Sequence, residues 1–421
     1  MSVFAKIKNS KELPKLISVL VDQFFMSIIT FATTIILART FDVLIYADYV
    51  LLVTLCVFLL GFQSAIISRP YAICFNDYSS VDSLDYFQFN MNSKLALSFG
   101  IAIVLPIACY VGYDELTIIN IAVITLFVLS YTFYHFIRET LLSERKTKEN
   151  LFYGLFCTVF FVILLVYIWF EKINDIYFYL FFSSLIYSSL AFYYFVLNYK
   201  VNFFLKKVYL KFFKKNWEVG KWLVGNNMLF HIAANIYPWL LLYLTGKEDV
   251  AVLGVLLSIG SIISPILKAL GSYLLPLFVK YNKDFKKISI LVNNSFLFFG
   301  FMSAIIVVVG YFYGEELMSL FFGKKYSDLG VLVIFPFLIQ ALVIFFQPIK
   351  IALTAIKRTD IDFWIYIPRS ILAVVLGYIL VERYGLFGVF YTMIIENICY
   401  YSVQYFIYRK IISDLKYVDK I

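Results

Sequence analysis

Apolar residues run along this chain in blocks, and the blocks have the length of a bilayer. They cover residues 16–38, 43–67, 95–112, 116–137, 151–170, 176–197, 222–244, 250–278, 288–312, 330–349, 363–381 and 386–408. A helix needs roughly 20 apolar residues to cover a ~30 Å hydrocarbon core. Backbone groups in lipid must be satisfied within the segment, which selects helices. The pattern therefore predicts an all-α polytopic membrane protein of about 12 transmembrane helices. Between the third and fourth blocks only a short turn is left, marked by Gly112, Asp114 and Glu115. No gap is long enough for a soluble domain.

Charge placement sets the orientation. With the N-terminus inside, the inner segments hold 26 Lys and Arg and the outer segments six. The positive-inside bias thus puts both termini in the cytoplasm. The net charge of +9 needs no nucleic-acid partner, because basic inner loops face anionic lipid. The first block is too long for a cleavable signal, and no small-residue cleavage site follows it. The five cysteines, Cys56, Cys74, Cys109, Cys157 and Cys399, read as packing residues, with neither a disulfide framework nor metal spacing.

One basic stretch, residues 200–221, divides the blocks six and six. There lysines alternate with Phe203, Phe204, Val208, Leu210, Phe212 and Phe213, the pattern of an amphipathic helix in the cytoplasmic interface. The expected organisation is an N-terminal lobe (1–199), this linker (200–221) and a C-terminal lobe (222–421). The sixth and twelfth blocks both end in aromatic residues followed by basic ones, as two repeats of six helices would. Residues 68–93, with Arg69, Asp77, Asp82 and Asp85 among Tyr and Phe, read as a second membrane-surface segment.

Polar residues within apolar helices mark pathways, because a charge at the helix centre costs about 2.5–3.5 kcal/mol on insertion scales. Here they form stripes at helical spacing. The eighth block carries Ser258, Ser261, Pro265, Lys268 and Ser272; the tenth carries Gln340 and Gln347, continued by Lys350 and Thr354; the first carries Gln23, Ser27, Thr30 and Thr34. Tyr131, His135 and Arg138 share a face around the end of the fourth, and Asn227, His231 and Asn235 line up in the seventh. Arg369 lies near the cytoplasmic end of the eleventh. These stripes suit a wet cavity. Each also has a structural reading: hydroxyls bond their own helix carbonyls, amides join neighbouring helices, and Arg138 and Arg369 lie close enough to the interface to snorkel. The candidate substrate-binding residues are Lys268, Lys350, Arg138, Arg369, Gln347, Gln340, Ser261 and Gln23. The candidates for ion coupling are Asp22, Asp48, Glu396, His135 and His231, each carboxylate having pairing with a basic residue as its alternative role. Two histidines are too few for a metal cluster, and no metal or cofactor is expected.

Several span ends resemble those of the polysaccharide flippases of the multidrug/oligosaccharidyl-lipid/polysaccharide exporter superfamily. The first ends Ile36-Leu37-Ala38-Arg39, and Tyr46-Ala47-Asp48-Tyr49 follows, similar to the family's Phe-Gly-x-Tyr but without its glycine. Phe322-Gly323-Lys324-Lys325-Tyr326 is similar to its Phe-Gly-Lys-x-Tyr turn, and Tyr384-Gly385-Leu386-Phe387-Gly388-Val389 to its Tyr-Gly-Leu-x-Gly-Ala loop. Leu274-Leu275-Pro276-Leu277-Phe278 also fits. The chain departs from the family at Asn235-Ile236-Tyr237-Pro238, where members often place an acidic–basic pair. The resemblance implies two six-helix lobes around a central cavity. It also implies a cargo of undecaprenyl-pyrophosphate-linked oligosaccharide, flipped from the cytoplasmic to the outer leaflet of the bacterial inner membrane for surface polysaccharide or O-antigen synthesis, beside a polysaccharide polymerase complex.

Two other functions compete. A multidrug/cation antiporter of the same superfamily favours acidic cavity residues, whereas the deep charges here are mostly basic. A membrane polysaccharide polymerase or glycosyltransferase needs a substantial outer loop, whereas the longest outer gap, near residues 313–329, is short. No nucleotide-phosphate glycine loop or nucleophile constellation is present, so a transporter, not an enzyme, is expected. The topology is directly testable: reporter fusions after Lys247 and Lys324 should read outside, and a fusion after Lys214 inside. A reversed reading at Lys247 breaks the orientation.

Overall fold

The computed structural model describes residues 13–75, 80–112, 116–199, 206–281, 284–356, 358 and 360–418. The described residues are almost entirely helical. In chain order the helices are α1 (Leu13–Thr40), α2 (Val43–Gln63), α3 (Arg69–Cys74), α4 (Ser80–Gly112), α5 (Ile118–Ser143), α6 (Thr147–Glu171), α7 (Ile176–Asn198) and α8 (Lys206–Asn235). Then follow α9 (Tyr237–Leu244), α10 (Lys247–Ser261), α11 (Ser264–Lys280), α12 (Phe285–Phe322), α13 (Ile334–Phe345), α14 (Gln347–Ala355), α15 (Asp360–Tyr384) and α16 (Leu386–Val418). Among the described residues, ten helical segments are long and apolar enough to cross a membrane. They correspond to the first six and last four predicted blocks. The chain is a multi-pass all-α membrane protein.

The seventh and eighth blocks are helical but broken. The seventh divides between α8 and α9 at Ile236, the eighth between α10 and α11 at Ile262 and Ile263. A proline stands at the first or second position of α9, α11 and α14. Proline has no N–H to give and its ring crowds the carbonyl four residues back, so the helix stops and restarts there. In the second block the ladder widens instead: Ser64–Ser68 form a π turn between α2 and α3, and Pro70 follows at once.

Two segments differ from the sequence reading. Residues 80–93 are the first part of α4, not a surface helix: Tyr86, Phe87, Phe89, Met91 and Lys94 are buried. The latter part of the basic linker, from Lys206 on, is continuous with the seventh block in α8. Phe212, Asn216 and Gly220 there are buried, and Asn216 accepts from the Tyr86 hydroxyl at 2.5 Å and donates to Asn90 at 2.9 Å. Tertiary contact, which periodicity cannot see, sets both outcomes. Residues 200–205 lie outside the described ones.

The chain divides into two compact units, Met1–Ile36 with Leu52–Met228, and Leu37–Leu51 with Leu229–Ile421. In the second unit three of the family-like span ends meet. Arg39, at the end of α1, donates to the carbonyls of Phe321 (2.7 Å), Ser319 (3.4 Å) and Leu320 at the end of α12. Lys325 returns the contact, donating to Phe41 O at 2.8 Å and Arg39 O at 3.3 Å. Each helix C-terminus, with its orphan carbonyls and negative dipole end, is thus capped by a cation from the other. Gly323, at φ +81°, makes the turn that presents Lys325, a backbone region other residues rarely adopt. Tyr46 packs edge-on against Tyr326, and Asp48 pairs with Lys247 at 2.7 Å. In the fourth motif, Gly388 lies so close to the Leu380 carbonyl that a methyl group would collide with it.

Arg39→Ala and Lys325→Ala should each lower the thermal unfolding midpoint of the detergent-solubilised protein. A cation at a helix C-terminus contributes about 0.3–2 kcal/mol, and the carbonyls here are part-buried or exposed, so the loss should stay within that range. Arg39→Lys should fall between, since it keeps the charge but loses the planar fork. Unchanged midpoints for both alanine variants would show that the caps do not hold this corner.

Candidate functional site

Each unit sets an arginine, buried in the first and partly buried in the second, against a carboxylate, an asparagine and a tyrosine. In the first unit α1 supplies Asp22, α5 supplies Arg138 and Tyr134, and α6 supplies Asn150. Arg138 Nη2 meets Asp22 Oδ2 at 2.5 Å, and Asn150 donates to the same oxygen at 2.9 Å. Arg138 Nη1 donates to the Tyr134 hydroxyl at 3.1 Å, and its guanidinium lies 5.7 Å from the ring centroid of that tyrosine. Asp22 is 1% and Arg138 5% exposed. Helical spacing builds this: Tyr134 sits one turn before Arg138, on the same face. Tyr153 and Tyr187 wall the cluster, each with its ring 4.9 Å from that of Tyr134. Space for it comes from Gly154, where a methyl group would overlap the Asp22 carboxylate and stand 3.0 Å from Arg138 Nη1.

In the second unit α15 supplies Arg369 and Tyr366, and α16 supplies Glu396, Asn397 and Tyr400. Arg369 Nη2 donates to Glu396 Oε1 at 3.2 Å and to Asn397 Oδ1 at 3.3 Å. Its guanidinium lies against the rings of Tyr366 and Tyr400, 5.6 and 4.9 Å from their centroids, and the two rings are 5.5 Å from each other. The Tyr237 hydroxyl, just past the break between α8 and α9, lies beside the same carboxylate. Arg369 Nε and Glu396 Oε2 are buried without a hydrogen-bond partner. Towards the start of α15 the network continues, where Asp362 accepts from Tyr400 and Gln404, both at 2.9 Å.

The remaining predicted residues are dispersed. Lys350 is exposed on α14, one turn before Thr354, whose hydroxyl bonds its carbonyl at 2.8 Å. Gln347 on the same helix faces Gly271 of α11, and Gln340 of α13 packs against Gly260 of α10. Ser261 is exposed and bonds the Ser258 carbonyl at 2.7 Å. Gln23 is half-buried beside Asp22. The Lys268 side chain lies outside the described residues. His135 stands edge-on to Tyr131 and Tyr134, and His231 shares a 2.9 Å hydrogen bond with Asn235. Asp48 reaches Lys247 in a half-exposed pair, a kind that contributes little. No group of His, Cys, Asp and Glu fit to hold a metal is found among the described residues.

Sequence reasoning missed Tyr134, Asn150, Gly154, Tyr366 and Tyr400. A signal existed for some of them: a tyrosine three or four residues before each deep arginine, and a lone glycine within the fifth block beside Asn150.

Both clusters are electrically balanced in a medium where an unbalanced charge is very costly. Arg138→Gln should strand Asp22 and cost about 3–5 kcal/mol; the double change with Asp22→Asn should recover much of it. Gly154→Ala should be nearly as damaging, because the added methyl displaces the carboxylate. Abundance and monodispersity in fluorescence-detected size exclusion read all three. A stable Arg138→Gln protein with Asp22 intact would refute the pairing as a structural requirement.

No family model matches the chain, and no curated protein matches it. Solved structures do. An inward-facing multidrug resistance MATE family transporter of the MOP superfamily matches with a TM-score of 0.72 at 14% identity, over 95% of this chain and 99% of that one. The lipid II flippase MurJ in its inward closed conformation matches with a TM-score of 0.66 at 13% identity, over 92% and 86%. A MOP superfamily transporter from Pyrococcus furiosus, described as having a binding pocket of reverse polarity, matches with a TM-score of 0.61 at 14% identity, over 95% of each. Similarity this distant in sequence and this complete in length establishes the architecture: the chain has the fold of the MOP superfamily transporters.

Proposed function

We propose that this protein is a flippase. It translocates undecaprenyl-pyrophosphate-linked oligosaccharide units from the cytoplasmic to the outer leaflet of the bacterial inner membrane, by alternating access, for surface polysaccharide synthesis. Both termini face the cytoplasm, and a polysaccharide polymerase complex is the expected recipient of the cargo. The physical task fits the residues. Each sugar hydroxyl left unsatisfied in hydrocarbon costs about 4–8 kcal/mol, and a pyrophosphate far more, so the head group needs a polar, cationic path while its lipid tail stays in the bilayer.

The observation that carries the reading is that the carboxylates of both arginine clusters are paired. In both deep clusters the carboxylate is already matched by an arginine, Asp22 by Arg138 and Glu396 by Arg369. Neither is left over to attract an organic cation, as a multidrug/cation antiporter requires. Arginine binds phosphate and carboxylate with the same planar fork. A pyrophosphate can therefore take the place of a carboxylate on Arg369, whose Nε is unengaged. Lys268 and Lys350 add point charges, and Gln340, Gln347, Ser261 and Gln23 offer hydrogen bonds to sugar. Asp22, Asp48, Glu396, His135 and His231 are proposed for ion coupling.

Complementation of a deletion strain tests this. Loss of the protein should strand lipid-linked repeat units on the cytoplasmic face and abolish surface polysaccharide. Lys350→Glu and Lys268→Glu should each restore flipping at least about tenfold less well than wild type at normal abundance, the effect of ~1.4 kcal/mol of lost attraction; Lys→Arg at either position should retain more. Normal transport by both glutamate variants would remove these lysines from the path. Normal polysaccharide in the deletion strain, coupled with lost efflux of organic cations, would favour the antiporter.

A further inference from the structure

Beside the two arginine clusters, the first unit buries a lysine and a glutamate that neither cluster uses. Lys94, in α4, is 0% exposed. An ammonium has three donors, but Lys94 Nζ makes a single hydrogen bond, to Thr132 Oγ1 at 2.9 Å, with the Phe133 ring 5.6 Å away. The nearby carboxylate is that of Glu139, two turns along α5 from Thr132. Glu139 Oε2 is buried and has no hydrogen-bond partner. The same carboxylate faces the hydroxyls of Ser64 and Ser68, in the π turn of the second block. Ser68 Oγ is likewise buried without a partner, as is Gln63 Oε1, whose amide donates to the Thr132 carbonyl at 3.1 Å.

This is a cluster with spare hydrogen-bonding capacity on both sides. The two charged groups are near but do not form a direct ion pair, unlike Arg138 with Asp22. The π turn is itself informative: such turns interrupt the helix ladder and occur often at functional sites. Here it aims two hydroxyls at one carboxylate.

We infer that Glu139, with Lys94 and the Ser64–Ser68 turn around it, is a proton-binding site of the first unit. On loading, a solvent proton forms an O–H bond with the carboxylate, and the cluster gains one positive charge. The new O–H is a donor beside Ser68 Oγ, a buried oxygen without a partner that can accept it. On release the O–H bond breaks, the proton returns to solvent, and the carboxylate again balances Lys94. The other charged and titratable groups around Glu139 are accounted for. Arg69 of α3 is exposed and faces it. Arg138, next to it in α5, belongs to the Asp22 cluster. Glu144 is engaged by Tyr71 and Lys146, at 2.7 Å each. Tyr153 of α6 faces Tyr134 and Arg138, and Tyr194 of α7 faces Glu144 and Glu149. From α8 the π turn receives Gly220, packed on Ala65. The site thus lies where α2, α4, α5 and α8 join, and its charge state bears on that joint. Its use as a coupling site rests on the transport reading above.

Two measurements decide it. In acid-minus-alkaline infrared difference spectra of the purified protein in nanodiscs, wild type should show a protonated-carboxyl band that Glu139→Gln abolishes. Lys94→Gln should move the midpoint of that band to higher pH, because the neighbouring cation that favours the carboxylate is gone. An unaltered band in Glu139→Gln overturns the inference, as does an unmoved midpoint in Lys94→Gln should Glu139→Gln fail to accumulate. In proteoliposomes, flipping of lipid-linked oligosaccharide by Glu139→Gln should lose its dependence on pH, and a pH profile like that of wild type overturns the coupling role. The infrared arm uses no cargo. Absence of flipping by wild type with the band present would therefore condemn the cargo assignment and leave the proton site standing.

Discussion

The interaction on which the rest depends is the enclosure of a guanidinium within an apolar helical bundle. Arginine cannot discard its proton, so a bundle that encloses one must supply an anion and hydrogen bonds or lose several kcal/mol. Arg138 and Arg369 are each met by a carboxylate, an amide oxygen or nitrogen nearby, and an aromatic face. These requirements fix much else. Asn150 and Gly154 belong together on α6 because one feeds Asp22 and the other makes room for it. Tyr366 and Tyr400 come from different helices, and their neighbouring rings together give the guanidinium an aromatic wall.

Backbone hydrogen bonding imposes the second constraint. A helix broken within the membrane frees carbonyls and N–H groups that lipid cannot satisfy. Such breaks are tolerated where protein or a polar cavity covers them, and transporters place binding sites there. The break at Ile236 puts the Tyr237 hydroxyl beside the Glu396 carboxylate. The π turn at Ser64–Ser68 performs the same service for Glu139. In both places an irregularity in one helix meets a charge on another.

The corner formed by Arg39 and Lys325 gives a physical reason for motifs that are loose in isolation. Leu-Ala-Arg at one helix end and Phe-Gly-Lys-Lys-Tyr at another, nearly three hundred residues apart, are two halves of one reciprocal cap. A glycine at φ +81° and a buried tyrosine complete it. The combination of residue types follows from the needs of two exposed helix C-termini brought side by side.

The sequence by itself determined the class and most of the helices. Twenty-residue apolar runs have one solution in lipid, and ten of the twelve were found as spans because length and apolarity are local properties. It also determined which residues carry unusual charge: Asp22, Arg138, Arg369 and Glu396 were all visible as polar atoms in apolar surroundings. It could not say that they form two pairs. Asp22 and Arg138 lie 116 residues apart, and only the packing of α1 against α5 and α6 joins them. Lys94 stands just before the third apolar block, and nothing local marks it as buried, because the helix that buries it begins in a polar stretch whose partners, Asn216 and Phe212, come from α8. Prolines marked the breaks at 238 and 265, yet whether proline kinks a helix or divides it depends on what covers the freed carbonyls. Apolarity decides what enters the membrane; pairing of the few groups that resist entry is a matter of distance, which the tertiary structure alone supplies.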